Sequence, residues 1–222
     1  ALWTVASYLP ESARRLAAVP LPAYDAHIPL MSLPGPLGVT PESVTVPVPY
    51  LRPDPLRVRE AKAAVAREGG SALKIGVAWA GAAANTQNVK RSMAVAAFAP
   101  LLDLPGTRWF SLKWQSEAMS ATDAPYGARL VALPMRNDFD GLAALESELD
   151  LVISVDTSLA HLAGALGKPV WVLLHHVPDW RWMLHRAASP WYPTARLFRQ
   201  RVPGDWSHPL GEVEQALRAL VA

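Results

Sequence analysis

The sequence of 222 residues contains no cysteine. That excludes a disulfide framework, an iron–sulfur cluster, a thiolate zinc site and a cysteine nucleophile. It also fits a reducing compartment. No apolar run reaches the roughly 20 residues that cross a bilayer, so no transmembrane segment is expected. The opening ALWTVASYLPESARRL lacks the basic-then-apolar order of a signal peptide, and a cytoplasmic location is the expectation. Neither sign of charge dominates: 21 Lys+Arg stand against 19 Asp+Glu, for a net charge of +2. That field is too small for a dedicated nucleic-acid surface, and no nucleic-acid partner is expected. Three phosphate and catalytic signatures are missing as well: GxGxxG, GxxxxGK[ST] and GxSxG. Their absence removes the main competing uses of an α/β sheet.

What is present is an ordinary globular balance, 51% hydrophobic and 18% charged. At roughly 100–200 residues per domain, the length allows one large domain or two small ones. Residues 1–16 carry Leu2, Val5, Leu9, Ala13 and Leu16 near one face, which predicts an amphipathic helix. A start on that pattern without Met reads as a fragment or a processed chain. Of the 21 prolines, many fall between residues 19 and 55, where they forbid a long helix and predict short extended pieces and turns. A helix follows from Pro53 to Arg67, with Asp54 as N-cap and Pro55 at its first position, and Gly69-Gly70-Ser71 ends it.

From residue 72 the rhythm changes. Strands are predicted at 74–81, 107–113, 128–134, 151–156, 169–174 and 195–200. Helices are predicted at 94–104, 140–150, 158–167 and 208–222, with Gly167 closing the third of them. Strands apolar on both faces that alternate with helices predict a doubly wound, Rossmann-like parallel sheet of about 150 residues.

The segment ISVDTSLAHLAGALGKPVWVLL, residues 153–174, carries the chemistry. A buried strand ends at Asp156 and a helix begins at once, with Thr157 as N-cap. Leu159, Leu162, Ala163 and Leu166 face the core, while Ser158, His161 and Ala165 lie on another face. Ligands of open α/β sheets bind at such strand ends. The helix start offers free N–H groups and a positive dipole end to phosphate, and Thr157 and Ser158 add hydroxyls. Asp156 is suited to sugar hydroxyls, and His161 to phosphate or hydroxyl. An anionic, hydroxyl-bearing ligand fits this set. Without a ligand the same residues make an ordinary capped helix with a surface histidine.

SVDTSLAHLAGALGKP resembles the donor-site motif of the heptosyltransferase-like glycosyltransferases, glycosyltransferase family 9. The run 177–206 is similar to the C-terminal part of a bacterial branch of such domains, often found behind tetratricopeptide repeats. The resemblance implies a GT-B fold whose C-terminal half is residues 71–222, the donor-nucleotide-binding domain. Residues 1–70 would be a partial, acceptor-side N-terminal domain and linker. It implies a metal-independent, inverting transferase that moves a sugar from a nucleotide-diphosphate donor to an acceptor hydroxyl. No cofactor is expected, since the nucleotide sugar is itself a substrate, and the acceptor would be a saccharide or a protein. Lys90 and Arg91 match the basic position that contacts the donor pyrophosphate. Trp114 and Glu117 match a Trp-x-x-Glu that places a carboxylate near the donor ribose. The family's catalytic base comes from the N-terminal domain, and it remains unassigned here. Asp25 and His27 are the nearby candidates. A chain lacking that base would be a non-catalytic nucleotide-sugar-binding or protein-interaction module, the alternative expectation.

Two further clusters stand out. His175 and His176, with Asp179 and His185, suggest a metal, but adjacent histidines on an extended segment point to opposite sides. No metal is expected, and one of the pair is placed at the ligand mouth. The stretch holding Trp180, Arg181, Trp182, Arg186, Trp191, Tyr192, Arg196, Arg199, Arg201 and Trp206 reads as a packed aromatic cluster rather than a single-strand nucleic-acid platform.

Overall fold

The computed structural model of the chain describes residues 25–26, 28–44, 47–81, 88–113, 124–134 and 138–221. The helix expected over 1–16, His27, Trp114 and Glu117 lie outside the described residues. The chain divides into two compact units between Ser43 and Val44. Among the described residues of the first, the prolines leave a 3-10 turn, Leu30–Ser32, and reverse turns. One of these turns is closed by the Thr40 N–H donating to Ser43 Oγ at 2.8 Å.

The second unit opens with α1 (Pro55–Gly69). Its start is written locally: Pro55 needs no N–H partner, and the Asp54 side chain accepts from the Leu56 N–H at 2.7 Å. There follow β1 (Leu73–Ala78), α2 (Asn88–Arg91), α3 (Ala99–Leu102), β2 (Thr107–Ser111), α4 (Ala124–Gly127) and α5 (Phe139–Ser147). The chain continues through β3 (Leu151–Val155), α6 (Ser158–Ala165), β4 (Val170–Leu174), β5 (Ala195–Arg199) and α7 (Ser207–Val221). Gly167, just past α6, takes φ 70°, the left-handed turn that suits glycine.

All five strands pair in parallel, in the order β2-β1-β3-β4-β5. Alternation along each strand builds two cores. Val152, Val170, Val172, Leu174 and Leu197 face one side, packed with Val65 of α1, Leu142 and Leu145 of α5, and Leu159 and Leu162 of α6. Ile75, Val77, Ile153, Val155 and Leu173 face the other, with Val95, Phe98, Leu101 and the α7 residues Val213 and Leu217. Each fully buried aliphatic side chain removes from water an area worth about 1.5–3 kcal/mol, so strands covered on both faces hold the sheet.

Two expectations need correction. The strand predicted over 128–134 is a single bridge, Val131 to Phe110, at the outer edge of β2. The turn that follows α4 takes residues 128–130 and Pro134 supplies no N–H, so too short a stretch is left for a strand, and within it Val131 alone forms a bridge. The helix predicted over 94–104 is split: a 3-10 turn at Val95–Phe98 precedes α3, because Pro100 has no N–H to continue an α-helical ladder.

The strand order reverses between β1 and β3. The crevice outside the carboxyl ends of those two strands is therefore the place where a doubly wound sheet binds its ligand.

Candidate functional site

β3 runs out at Val155 with its residues buried, and the chain turns directly into α6. Thr157 is extended (φ −139°, ψ 171°) and its Oγ1 accepts from the Leu159 N–H at 3.3 Å. Ser154 Oγ donates to the Val155 carbonyl at 2.7 Å and lies 3.0 Å from Thr157 Oγ1. With the Ser154 proton engaged, Thr157 is the donor of that second bond. The Thr157 hydroxyl thus serves the turn itself, and what Thr157 offers outward is its backbone. Ser158 is exposed at the helix start.

Asp156 is only 6% exposed. Among the described residues its carboxylate forms no hydrogen bond or ion pair. Its charge reaches two imidazoles, His161 and His175, and favours the protonated form of each.

His161, one turn into α6, is half-buried. Its Nδ1 is 3.0 Å from the Tyr192 hydroxyl, and its ring stacks on Trp182. Burial pulls its pKa down, with Arg181 acting the same way, while Asp156 and Asp179 oppose. His175 follows β4. Burial lowers its pKa too, Asp156 opposes, and Lys90, Arg91 and Arg199 all push it further down. Charges from three other segments thus act on His175: Lys90 and Arg91 from the segment after β1, Asp156 from the end of β3 and Arg199 from β5.

The segment after β1 is shaped by Asn88. Its Oδ1 accepts from the Gly81 N–H at 2.9 Å and from Ser92 Oγ at 2.6 Å, and its Nδ2 donates to the Gly81 carbonyl. That clamp sets α2, which carries exposed Lys90 and half-buried Arg91. The Arg91 Nε is buried with no hydrogen-bond partner among the described residues.

After β4 the chain forms a pinned loop. Asp179 caps the 3-10 turn Trp180–Trp182, accepting from the Arg181 N–H at 3.0 Å and pairing with the Arg181 side chain at 2.8 Å. Arg199 Nη2 donates to the carbonyls of Met183 (2.9 Å) and Trp182 (3.3 Å). Met183 and His185 take φ 52° and 57°, conformations non-glycine residues rarely hold unless the surroundings impose them. The aromatic cluster is a packed one at Trp182 and Tyr192, both buried, but Trp180 is 55% exposed, with Arg181 4.9 Å from its ring centroid and Trp191 meeting it edge-on.

His176 is tied to the segment after β5: its backbone N–H donates to Gln200 Oε1, and its ring Nδ1 lies 3.3 Å from the Gln200 carbonyl oxygen. Among the described residues, no three His, Asp or Glu side chains converge as a metal-binding group. No helix there is long and apolar enough to cross a membrane. Asp25 is exposed in the first unit.

Sequence reasoning missed Trp182, Tyr192 and Arg199 as site residues. The aromatic and basic stretch was visible, but nothing in its spacing marks which members turn toward His161.

Comparison with known proteins bears on the same region. Residues 116–175 match the description Glycosyltransferase family 9 (heptosyltransferase). The chain is 29% identical over 178 residues to Protein FlbA of Caulobacter vibrioides, covering 78% of this chain and 29% of FlbA. The structure of a glycosyl transferase family 9 protein from Veillonella parvula superposes with a TM-score of 0.55 at 13% identity, over 77% of this chain and 53% of that one. The structure of the E. coli ADP-heptose lps heptosyltransferase II gives a TM-score of 0.48 at 17% identity, over 79% and 55%. The chain spans less than a third of its curated relative and about half of the solved structures. The matched segment contains β3, Asp156 and most of the α6 site, and the chain is accordingly similar to glycosyltransferase family 9, the heptosyltransferases, in that segment and in its α/β fold.

Proposed function

We propose that residues 71–222 form the donor-nucleotide half of a GT-B glycosyltransferase, with residues 1–70 belonging to the acceptor side and linker. The reaction moves a sugar from a nucleotide-diphosphate donor to an acceptor hydroxyl on a saccharide or protein, with inversion and without a metal. The acceptor oxygen forms a bond to the anomeric carbon as the bond from that carbon to the diphosphate breaks. The acceptor proton passes to a base that this chain's described residues do not identify. Negative charge grows on the leaving phosphate. Lys90, Arg91 and the N–H groups at the start of α6 meet it there, where such donors stabilise the transition state more than the ground state. Asp156 accepts from donor hydroxyls, His161 orients the same part of the ligand, and Glu117 holds the ribose. A cytoplasmic location and a tetratricopeptide-repeat region elsewhere in the protein belong to this reading.

The observation that carries it is Asp156: a carboxylate at the switch point, 6% exposed and without a hydrogen bond or ion pair among the described residues, whose charge acts on His175 together with those of Lys90, Arg91 and Arg199. Calorimetric titration with ADP, UDP, GDP and CMP, each in EDTA and again with magnesium, tests it. Saturable binding of one nucleotide in EDTA is expected. A nucleotide-diphosphate sugar of that base should bind as well, and Asp156→Asn should weaken it while the circular dichroism stays unchanged. No binding to any nucleotide overturns the donor site and favours an interaction module.

A further inference from the structure

We infer that Asn88 is the positioning residue that lays the Arg91 guanidinium against the bare Cα of Gly81, so that Arg91 meets an anionic ligand as a fixed cation rather than a free one. The inference rests on the donor-site reading for the identity of that ligand, a diphosphate, but the placement of Arg91 is a property of the free protein.

The frame is built on the backbone of Gly81. Its N–H donates to Asn88 Oδ1 at 2.9 Å and lies 3.2 Å from Ser92 Oγ, and its carbonyl accepts from Asn88 Nδ2 at 3.1 Å. A donor on one side and an acceptor on the other admit only one orientation of the carboxamide. Ser92 closes the ring, its Oγ donating to Asn88 Oδ1 at 2.6 Å and its N–H to the Asn88 carbonyl at 2.9 Å. One residue further, the Met93 N–H donates to the Trp79 carbonyl at 3.0 Å. The turn α2 is thereby fastened on both sides to the residues that follow β1.

Arg91 takes its place from this frame. A Cβ on Gly81 would stand 2.7 Å from Asn88 Oδ1, 3.3 Å from Arg91 Nη2 and 3.6 Å from Arg91 Nε. The Gly81 backbone is not left-handed, so what the site takes from glycine here is room. The carboxamide of Asn88 and the guanidinium of Arg91 share the space that a side chain at 81 would fill. Arg91 Nε is buried without a hydrogen-bond partner, and among the described residues the guanidinium forms no ion pair. Such a group suits an oxyanion. Its planar fork makes paired, charge-assisted bonds to phosphate, and holding it in place beforehand removes part of the ordering cost of binding. Its charge acts on His175, just past β4, so the frame holds it at the ligand-binding edge of the sheet.

Nitrogen-15 NMR of the arginine Nε–H groups reads the placement without any ligand. The Arg91 signal is identified by its loss in Arg91→Lys. A buried Nε–H exchanges slowly with water, so the wild-type signal should persist where those of free arginines are broadened away. Asn88→Ala removes the frame and should release the signal to fast exchange. Gly81→Ala pushes Asn88 and Arg91 out of their shared space and should do the same. If one variant does not fold, the other decides. An Arg91 signal that exchanges like a free arginine's in the wild type, or that stays protected in a folded variant, overturns the inference. Calorimetric titration with inorganic pyrophosphate in EDTA reads the consequence. Asn88→Ala should weaken binding roughly tenfold. Added to Arg91→Ala, it should cost nothing further, because Asn88 acts through Arg91. Losses that simply add overturn the positioning role. Failure of pyrophosphate and nucleotides to bind the wild type, with the NMR pattern as expected, would count against the donor site alone.

Discussion

The imidazole of His161 lies flat on the indole of Trp182, with 4.9 Å between centroids. This one contact joins the helix that follows β3 to the pinned loop that follows β4. It makes the strand-end mouth a single object rather than two adjacent loops. Trp182 is fully buried, so the histidine has a rigid floor, and its freedom is limited to the side that Tyr192 leaves open.

The seat of that arrangement is Gly164. In Gly164→Ala the new methyl group would meet the Tyr192 ring at 2.4 Å. Alanine is the better helix former by about 1 kcal/mol, yet overpacking of this kind costs about 1–3 kcal/mol. We expect a net loss of stability in chemical denaturation and a changed His161 environment by NMR. A gain in stability would show that Tyr192 can move aside freely.

Thr157 closes the turn between β3 and α6. Thr157→Ala should lower stability by about 1 kcal/mol, the usual cost of losing an N-cap hydroxyl, and Thr157→Ser should restore it. Thermal unfolding of the two variants distinguishes the cap from mere side-chain volume, because serine is nearly as small as alanine.

Lys90 is exposed and contributes nothing to the core. Lys90→Ala should leave the melting temperature unchanged and weaken nucleotide-diphosphate binding by about 1.5–3 kcal/mol, roughly 10- to 100-fold, as expected for a charge-assisted bond. Wild-type affinity should fall with added salt more steeply than that of the variant. Equal affinity of the two proteins would remove Lys90 from the site.

Glu146 gives a pH prediction away from the mouth. It is fully buried in α5, both carboxylate oxygens lack hydrogen-bond partners among the described residues, and burial holds its pKa well above the ordinary value of 4.5. The folded state therefore binds its proton more tightly than the unfolded state. The stability this group contributes is complete below the unfolded pKa, and it declines as pH rises toward the folded one. The limiting slope is about 1.4 kcal/mol per pH unit. Glu146→Gln should abolish this decline and be more stable than wild type at neutral pH. Denaturation curves across the acid-to-neutral range check both points.

The sequence by itself determined the elements and the motif. Asp54-Pro55 wrote the start of α1, the sequence pattern marked all five strands of a parallel, doubly covered sheet, and the step from β3 through Asp156 and Thr157 into α6 was legible residue by residue. These are local signals, set by caps, dihedral preferences and side-chain periodicity over a few residues. Tertiary structure decided the rest. Residues 128–134 carry strand-like composition, but only Val131 pairs, because pairing depends on the partner edge and on where α4 lets go of the chain. Glu146 sits on a helix face that periodicity alone does not mark as sealed. His161 and Tyr192 meet across distant parts of the sequence, and the charges of Lys90, Asp156 and Arg199 all act on His175. A tyrosine between two prolines does not announce its partner. Their convergence is fixed by the order in which the strands lie in the sheet, and strand order is a long-range property that no local spacing encodes.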